Sequence, residues 1–497
     1  MSRPSGLEAG ASTRAGFRYA GAVALAKWAA SGAVLATGFR AVSDDDFARV
    51  VIAEQWARAP GWDASGTSWL PFPFWIVGSA MMAFGRSLAT ARGAALVLGI
   101  AAALVVYKAA RWLGEERGPA TVGAIVAAVF PWSARLGVAT VPELPAAAMV
   151  LLGMAALGGD ATGRAREKRL LWGGAAIAAA ALSRYEAWPV AVIFAGACAI
   201  EAARVKSLRA AGAAVIAIAG PASWVVWNRI SHGDALHFLA RVAAYKQALG
   251  GDQQGAAARL WAYPVAMVQQ EPEIVALLVA TAAVMAVRGG GKSLRAALMK
   301  YRWPAALAAA QIAALSVAMI KDGAPTHHPE RAVLSALLLI AVMAGALAWH
   351  AWRRHSLWEI GPVAGAAVMI AAVVLRVMLG PRQYFAERED EVAAGKEAGV
   401  LTRPGEPVLV EVPDYGYLAV IAALGRPEDA VPDRSIDPRE PKVESSFYRE
   451  EAIRARIAAA GARWIVARRQ LTKVLVLGEP ATAHGEWAVY RATGAQP

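Results

Sequence analysis

The feature that most constrains this chain is a series of long apolar segments separated by short loops. The first covers residues 19–39 and is long enough to cross a bilayer, which takes about 20 residues. A soluble core cannot hold so much apolar sequence, because chains divide into separate domains well before this length. Since 57% of the 497 residues are hydrophobic and 18% are charged, the sequence predicts an α-helical polytopic membrane protein.

The basic residues follow the pattern of a membrane protein. The formal charge of +13 would also suit a nucleic-acid-binding protein, but Lys and Arg cluster in short loops between apolar segments. That clustering encodes membrane topology, so no nucleic-acid partner is expected. Cys198 is the only cysteine and lies in an apolar segment, so neither an intramolecular disulfide nor a cysteine-based metal site is expected.

The first apolar segment has two interpretations, because a charged start followed by an apolar stretch also describes a secretory signal peptide. The segment is longer than the roughly 7 to 15 apolar residues of such a peptide. We therefore expect an uncleaved helix in the cytoplasmic membrane with the N-terminus in the cytoplasm.

The segment at residues 70–84 decides the topology. It is apolar but short, contains Pro71 and Pro73, and is bracketed by Arg58 and Arg86. If it crossed the membrane, the later basic loops would alternate onto the wrong side, whereas an in-plane helix puts nearly every dense basic cluster in the cytoplasm. About eleven transmembrane helices then follow, with the C-terminus outside. The later spans are predicted at residues 92–108, 120–138, 144–158, 170–183, 188–202, 210–228, 272–287, 303–320, 332–350 and 360–380.

The character of the chain changes near residue 381, where charge and proline density rise and long apolar segments cease. Residues 1–380 are predicted to form the transmembrane domain, with an extracytoplasmic loop and in-plane helices at 40–92. Residues 381–497 are predicted to form a small extracytoplasmic α/β domain. Its strands are expected at 407–412, 463–467 and 486–491, and its helices at 414–424 and 446–460.

Residues capable of chemistry collect in the loops predicted to lie outside, beginning with Asp44, Asp45 and Asp46 directly after the first apolar segment. One aspartate is expected to cap the helix that follows at 47–58, but three exceed what a cap needs. Acidic groups at the mouth of a membrane segment are costly, which favours a function. A carboxylate there could act as the base in sugar transfer, and a basic side chain or divalent cation could neutralise a departing phosphate.

Other candidates lie at helix ends on the same face. Glu143 follows Pro142 at an external turn, where it could also simply stabilise a helix N-terminus. Arg184 and Glu186 lie at another external helix end, where pairing with neighbours is the alternative. Glu143 is expected to lie near residues 43–47, which are called the acidic loop below.

The segment at residues 327–331 contains His328, Glu330 and Arg331. Its adjacent histidines lack the helical spacing of a common metal motif, so phosphate binding by Arg331 with His328 is preferred. This segment is also expected to lie near the acidic loop.

The order of these features resembles the integral-membrane glycosyltransferases of the GT-C superfold, particularly the dolichyl-phosphate-mannose protein mannosyltransferases and the bacterial lipid A aminoarabinose transferases. The resemblance covers about the first 380 residues. It is carried by residues 43–47 after the first helix, 69–75, 142–143, 183–188 and, more weakly, 328–331.

The resemblance implies a polyprenyl-phosphate-linked sugar donor and an inverting transfer, on the extracytoplasmic face, to a lipid, glycan or protein acceptor. It makes the acidic motif the base or a metal-proximal group, so a divalent metal ion at Asp44 and Asp45 is a further expectation. Asp45 is the first choice for the base and Asp44 the second, because three consecutive aspartates leave the register open. The remaining site residues are Glu143 as a catalytic group, and Arg184, Glu186, His328, Glu330 and Arg331 for the donor phosphate or substrate.

Two other functions remain open from the sequence. A transporter or flippase could couple external carboxylates to ions, but it should carry charged or broken-helix sites near the bilayer midplane. A scaffold that only presents the α/β domain would leave the acidic motif unexplained.

Overall fold

The computed structural model describes residues 6–249, 255–321, 329–354, 388–469 and 477–492. The fold is mostly helical, with a small sheet near the C-terminus. His328 and the predicted span at 360–380 lie outside the described residues. The helices before residue 388 are α1 (Gly6–Ala36), α2 (Asp45–Arg58), α3 (Phe72–Phe84), α4 (Leu88–Trp112), α5 (Arg117–Val129), α6 (Pro131–Leu136), α7 (Glu143–Leu157), α8 (Gly163–Ala181), α9 (Trp188–Val205), α10 (Leu208–His232), α11 (His237–Ala248), α12 (Ala256–Gln270), α13 (Pro272–Met299), α14 (Arg302–Ile320), α15 (Pro329–Ala332) and α16 (Leu334–Arg354).

Within the described residues, six helical segments are long and apolar enough to cross a membrane, and they come from α1, α4, α9, α10, α14 and α16. A seventh span is formed if α12 and the first part of α13, which meet at an angle of 83°, are counted as one. The helices α3, α5 and α7 are apolar but shorter. The polytopic helical class is thus confirmed, while the number of about eleven spans stays a prediction.

Helix α3 occupies the segment predicted to lie in the plane of the membrane. It has 13 residues, which at about 1.5 Å per residue gives a length of roughly 20 Å. The hydrocarbon core is about 30 Å thick, so this helix is too short to cross it unaided. Its length therefore agrees with an interfacial position.

The predicted span at 120–138 is divided into α5 and α6. Phe130, which precedes Pro131, has φ −60° and ψ 146°, an extended conformation that a following proline favours. The division interrupts the ladder of backbone hydrogen bonds between α5 and α6. Lys27 Nζ donates to the carbonyl oxygens of Ser133 at 2.6 Å and Ala128 at 3.3 Å. Lys27, in α1, therefore supplies hydrogen bonds to carbonyl groups on both sides of the break between α5 and α6.

A backbone N–H group at the same break donates to a glutamate between α12 and α13. Glu271 lies at the 83° bend, directly before Pro272, and its Oε1 accepts the backbone N–H of Trp132 at 2.7 Å. Glu271 is fully buried, so this contact provides a hydrogen bond that lipid could not supply. This hydrogen bond joins the break between α5 and α6 to the bend between α12 and α13.

The C-terminal part contains α17 (Glu389–Leu401), α18 (Tyr417–Leu424) and α19 (Glu450–Ala460), with strands β1 (Val408–Val410), β2 (Ala430–Pro432), β3 (Trp464–Arg468), β4 (Thr482–His484) and β5 (Trp487–Arg491). The strand order is β2-β1-β3-β5-β4. Strand β1 runs parallel to β2 and β3, whereas β5 is antiparallel to β3 and β4. The predicted small α/β domain is confirmed in its fold class.

Strands β2 and β4 are absent from the sequence prediction. Strand β2 lies between the two predicted helices, where no strand is expected, and it has three residues that end in Pro432. Proline is compatible with an edge strand, which is where β2 lies. So short a strand carries no readable alternation.

Helix α18 packs its apolar face against α2. Ala419 and Ile421 join an apolar cluster that contains Phe47 and Val50. Nearby, Glu428 forms ion pairs with Arg58 at 2.7 Å and Arg86 at 2.8 Å. The C-terminal part therefore rests on the segment that carries the three aspartates.

Candidate active site

The three aspartates have different partners. Asp46 is buried, and its carboxylate accepts backbone N–H groups from Val42 at 3.2 Å, Ser43 at 3.3 Å and Thr140 at 3.0 Å. Burial raises the pKa of Asp46 to about 6, although Arg331 and the amide donors favour the ionised form. Asp46 thus ties the acidic loop to the segment before α7, which is a structural role.

Asp44 points toward the C-terminal part of the chain. Its two carboxylate oxygens accept hydrogen bonds from Nε and Nη2 of Arg388, both at 3.0 Å. The same guanidinium also pairs with Glu391 at 3.0 Å and Asp414 at 3.3 Å. Arg388 therefore joins the acidic loop to α17, and Asp44 has both oxygens occupied.

Asp45 is the most accessible of the three. Its side chain is 40% exposed, and its Oδ2 accepts a 3.0 Å hydrogen bond from Nη1 of Arg331. Nη2 of Arg331 donates to Ser43 Oγ at 2.8 Å, and Nη1 lies 3.6 Å from Glu143 Oε1. The structure therefore brings Asp45, Glu143 and Arg331 together, as predicted.

Glu143 and Glu186 share the guanidinium of Arg184. Nε and Nη2 of Arg184 donate to the two oxygens of Glu186, and Nη1 donates to Glu143 Oε1 at 3.0 Å. Burial alone would lower the pKa of Arg184, but Glu186 and Glu143 outweigh it and raise the pKa above its ordinary value. The other oxygen of Glu143, Oε2, is buried and has no hydrogen-bond partner. That oxygen is available to a substrate hydroxyl.

A cavity that is partly open to solvent lies beside this network. Its polar wall includes Gln311, whose amide donates to the backbone oxygen of Glu186 at 2.8 Å, and Ser335, which donates to Gln311 Oε1 at 2.8 Å. The lining of the cavity thus combines ionic groups with neutral hydrogen-bonding groups. Its lining residues are Glu143, Ala146, Ala147, Val150, Arg184, Glu186, Ala187, Gln311, Arg331, Ala332 and Ser335.

The other predicted site residues lie apart from the cavity or cannot be placed. Glu330 is beside Arg331 in α15 but is not among the lining residues. His328 lies outside the described residues, so its predicted contact with a phosphate stays a prediction.

Sequence reasoning missed several contributors. Arg49 lies one helical turn after Asp45 in α2, a spacing that puts both on one face of the helix and could have been noticed. Gln311 is a polar residue in a nearly continuous apolar span, which is a recognisable signal for function. Arg388 and Thr140 carry no such signal, because their contacts with the acidic loop are long-range.

The arrangement does not fit a divalent cation at Asp44 and Asp45. Each carboxylate faces an arginine, which disfavours a cation at the same position. In the part of the chain that the structure describes, no group of three or more His, Cys, Asp or Glu side chains could hold a metal ion. No catalytic step is therefore derived through a metal.

The comparison with known families gives a match over part of the chain. Residues 67–227, which include Glu143, Arg184 and Glu186, match the family model of dolichyl-phosphate-mannose-protein mannosyltransferase. The acidic loop lies N-terminal to the matched region. No curated protein sequence matches the chain.

Comparison with solved structures shows the fold. The structure of ArnT from Cupriavidus metallidurans bound to undecaprenyl phosphate superposes with a TM-score of 0.61 at 13% identity, covering 96% of this chain and 98% of that one. The apo structure of the same protein gives a TM-score of 0.54 at 13% identity, covering 91% and 94%. The chain thus has a GT-C fold that resembles the mannosyltransferase and ArnT family, as predicted. The matches support an integral-membrane glycosyltransferase of the GT-C type.

Proposed function

We propose that the protein transfers a sugar from a polyprenyl-phosphate-linked donor to an acceptor hydroxyl on the extracytoplasmic face, with inversion at the anomeric carbon. The observation that carries the proposal is the pairing of Asp45 with Arg331 beside the cavity. It combines a half-exposed carboxylate, buried cations and a polar pocket within a GT-C fold. Sugar transfer from a phosphate needs a base and a positively charged leaving-group site, and both are present in these residues.

Asp45 is the proposed base. Its carboxylate would accept the proton of the acceptor hydroxyl while the oxygen of that hydroxyl attacks the anomeric carbon. The bond between that carbon and the phosphate oxygen breaks, and polyprenyl phosphate leaves with the bonding electrons. Arg331 keeps the Asp45 carboxylate ionised and oriented, because a cation within hydrogen-bonding distance favours the charged form. Asp44, the second candidate, has both oxygens engaged by Arg388, which favours Asp45.

Glu143 is proposed to bind the sugar. Arg184 and Arg331 hold one of its oxygens, while the buried Oε2 has no hydrogen-bond partner. An unsatisfied buried acceptor is costly, so a sugar hydroxyl that donates to it would gain a strong, charge-assisted hydrogen bond. Glu186 and Arg184 would hold the shape of this wall.

The donor class is supported by the fold comparison, because the similar ArnT structure contains undecaprenyl phosphate. The predicted division into a membrane domain at 1–380 and an extracytoplasmic domain at 381–497 fits this function. In that arrangement the C-terminal domain would rest on the acidic loop from outside, through Arg388 and Glu428. The acceptor would approach from the same side.

The test compares lipid extracts and envelope glycans from cells with the intact protein, cells without it, and cells with Asp45→Asn. We expect a polyprenyl-phosphate-linked sugar to accumulate in the second and third strains, and one glycosylated product to disappear from both. Asn has nearly the same shape as Asp but cannot act as the base. Unchanged lipid-linked sugars and glycans in the strain without the protein would overturn the proposed function.

A further inference from the structure

A second group of charged side chains lies at the opposite end of α16 from the candidate active site. Ser335 lines the cavity, and His350 follows it in the same helix, roughly 20 Å further along at 1.5 Å per residue. Nε2 of His350 lies 3.1 Å from Oε2 of Glu115, and Nζ of Lys300 lies 3.1 Å from its Oε1. Glu115 thus joins the loop before α5 to the ends of α13 and α16. These residues take no part in the proposed sugar transfer.

Glu115 is a buried carboxylate that fixes its basic neighbours. It is 2% exposed, and the buried Tyr301 donates a 2.7 Å hydrogen bond to its Oε1. Burial alone would raise the pKa of Glu115, but the hydrogen bonds from its three partners outweigh burial and hold the pKa below its ordinary value. One negative charge is therefore shared by a lysine and a histidine. The side chain of Lys300 is still 33% exposed, and its ammonium group has further N–H donors for a ligand.

The last part of α13 brings two further cations to the same place. The chain turns at Gly290, whose φ of 71° and ψ of 157° suit glycine alone. Beyond this turn, Leu298 joins an apolar cluster that contains Leu347 of α16. Lys292 and Arg295 lie on the remaining surface of the same short helix and are exposed. An apolar side that packs and an exposed basic side are typical of a helix at a membrane surface.

Two arginines beside tryptophans extend this basic surface. Cζ of Arg302 lies 5.8 Å from the centre of the Trp303 ring, and Cζ of Arg353 lies 5.5 Å from that of Trp349. Both arginines are exposed, and neither forms an ion pair with any residue that the structure describes. Trp303 is 55% exposed. Because tryptophan is enriched at the membrane–water interface, these rings indicate the depth of the lipid headgroups.

We propose that an anionic phospholipid of the cytoplasmic leaflet binds, through its headgroup, to the basic surface defined by Lys292, Arg295, Lys300, Arg302 and Arg353. The predicted topology puts these residues on the cytoplasmic side. Glu115 and the exposed Glu116 adjoin them, so positive charges exceed negative ones. A phosphodiester supplies the missing negative charge, and basic pockets between transmembrane helices on the cytoplasmic side bind such headgroups. This inference goes beyond the proposed function and does not rest on it.

The experiment measures cardiolipin binding to the purified full chain in detergent by native mass spectrometry, with phosphatidylcholine as the zwitterionic comparison. The test variant combines Arg302→Gln with Arg353→Gln. The matched control combines Lys168→Gln with Arg204→Gln, which removes two exposed cations from other segments predicted to be cytoplasmic. We expect the Kd for cardiolipin to rise about 10- to 30-fold in the test variant and to change less than about twofold in the control. Phosphatidylcholine should bind all three proteins weakly.

Each outcome decides the proposal. A loss of cardiolipin affinity confined to the test variant supports it. An equal loss in the control means that positive charge anywhere on this side attracts the lipid, which overturns the assignment to this surface. An unchanged Kd in the test variant, or equal affinity of the wild type for cardiolipin and phosphatidylcholine, also overturns it. The Tm of each variant verifies folding, and Lys292→Gln with Arg295→Gln replaces the test variant if that variant does not fold.

Discussion

Arg331 and Asp45 are 286 positions apart in the chain, and Nη1 of the arginine donates a 3.0 Å hydrogen bond to Oδ2 of the aspartate. The arginine side chain is 4% exposed, whereas that of the aspartate is 40% exposed. A buried cation therefore holds a carboxylate that solvent or a substrate can reach. This pairing joins the start of α2 to α15 and orients the proposed base.

Both the charge of Arg331 and the shape of its guanidinium group are expected to be required for transfer. Arg331→Lys keeps a positive charge but cannot reach Asp45 and Ser43 with separate N–H groups, so we expect activity to fall about 100-fold. Arg331→Met should lose more, because it also leaves Asp45 and Glu143 without their shared cation. The measurement is sugar transfer in membranes, normalised to the amount of folded protein. Wild-type activity in Arg331→Lys would contradict the orienting role.

Asp44 and Arg388 are expected to stabilise the docking of the C-terminal part. In a double-mutant cycle with Asp44→Asn and Arg388→Gln, the two changes should be non-additive, with a coupling of about 0.5 to 3 kcal/mol. The measurement is thermal or denaturant unfolding of the purified protein, with limited proteolysis of the segment after residue 388. Additive effects of the two changes would show that the ion pair contributes nothing to docking.

Glu54 is expected to make stability depend on pH. This glutamate in α2 is fully buried, neither of its oxygens has a hydrogen-bond partner, and burial raises its pKa to about 9 despite Arg86. Its ordinary pKa is 4.5, so the stability it contributes when protonated is complete below pH 4.5 and falls as the pH rises toward 9. Glu54→Gln should therefore have the same Tm as the wild type at low pH and a higher Tm at pH 8 to 9.

The control for Glu54 is Glu440→Gln, which changes an exposed carboxylate. Its Tm difference from the wild type should stay nearly constant over the same pH range. A constant difference between Glu54→Gln and the wild type would contradict the prediction.

The predicted topology can be tested by cysteine labelling, because Cys198 is the only cysteine and is buried. In a Cys198→Ser background, Ser435→Cys should react with a membrane-impermeant thiol reagent applied from outside. Ala165→Cys, in a loop predicted to be cytoplasmic, should react only after the membrane is permeabilised. Both side chains are exposed, so access depends on the side of the membrane. The opposite labelling pattern would reverse the topology.

The sequence was sufficient for the parts of the fold and site that depend on helix ends. The length of the apolar segments predicts most of the long helices, and the basic loops predict which helix ends share a face. Glu143 and Arg331 are therefore expected near the acidic loop, and the structure places them there. Charge placement also predicts that the segment at 70–84 lies in the plane of the membrane, and the 13-residue length of α3 agrees with that position. These inferences work because membrane helices have a fixed length scale and a charge rule that can be read locally.

The division of labour among the three aspartates could not be predicted, because it depends on distant partners. Thr140 donates a hydrogen bond to Asp46, which gives that aspartate a structural role, and Arg388 donates to Asp44. Neither Thr140 nor Arg388 is marked by any local sequence pattern. The division of the 120–138 span is different, since Pro131 is visible in the sequence. There the apolar composition on both sides outweighed the proline in the prediction, and only the contacts of Lys27 and Glu271 explain how the break is tolerated.

The most direct test of the account is the rate of sugar transfer by purified Asp45→Asn in proteoliposomes, supplied with the lipid-linked sugar that accumulates in cells lacking the protein. We expect the rate to fall roughly 100- to 10,000-fold, the contribution of a general base, while the variant keeps the wild-type Tm and still binds undecaprenyl phosphate. Asp44→Asn, measured alongside, should retain more activity because Asp44 binds Arg388 instead of the acceptor. A folded Asp45→Asn protein that transfers sugar at the wild-type rate would contradict the central claim.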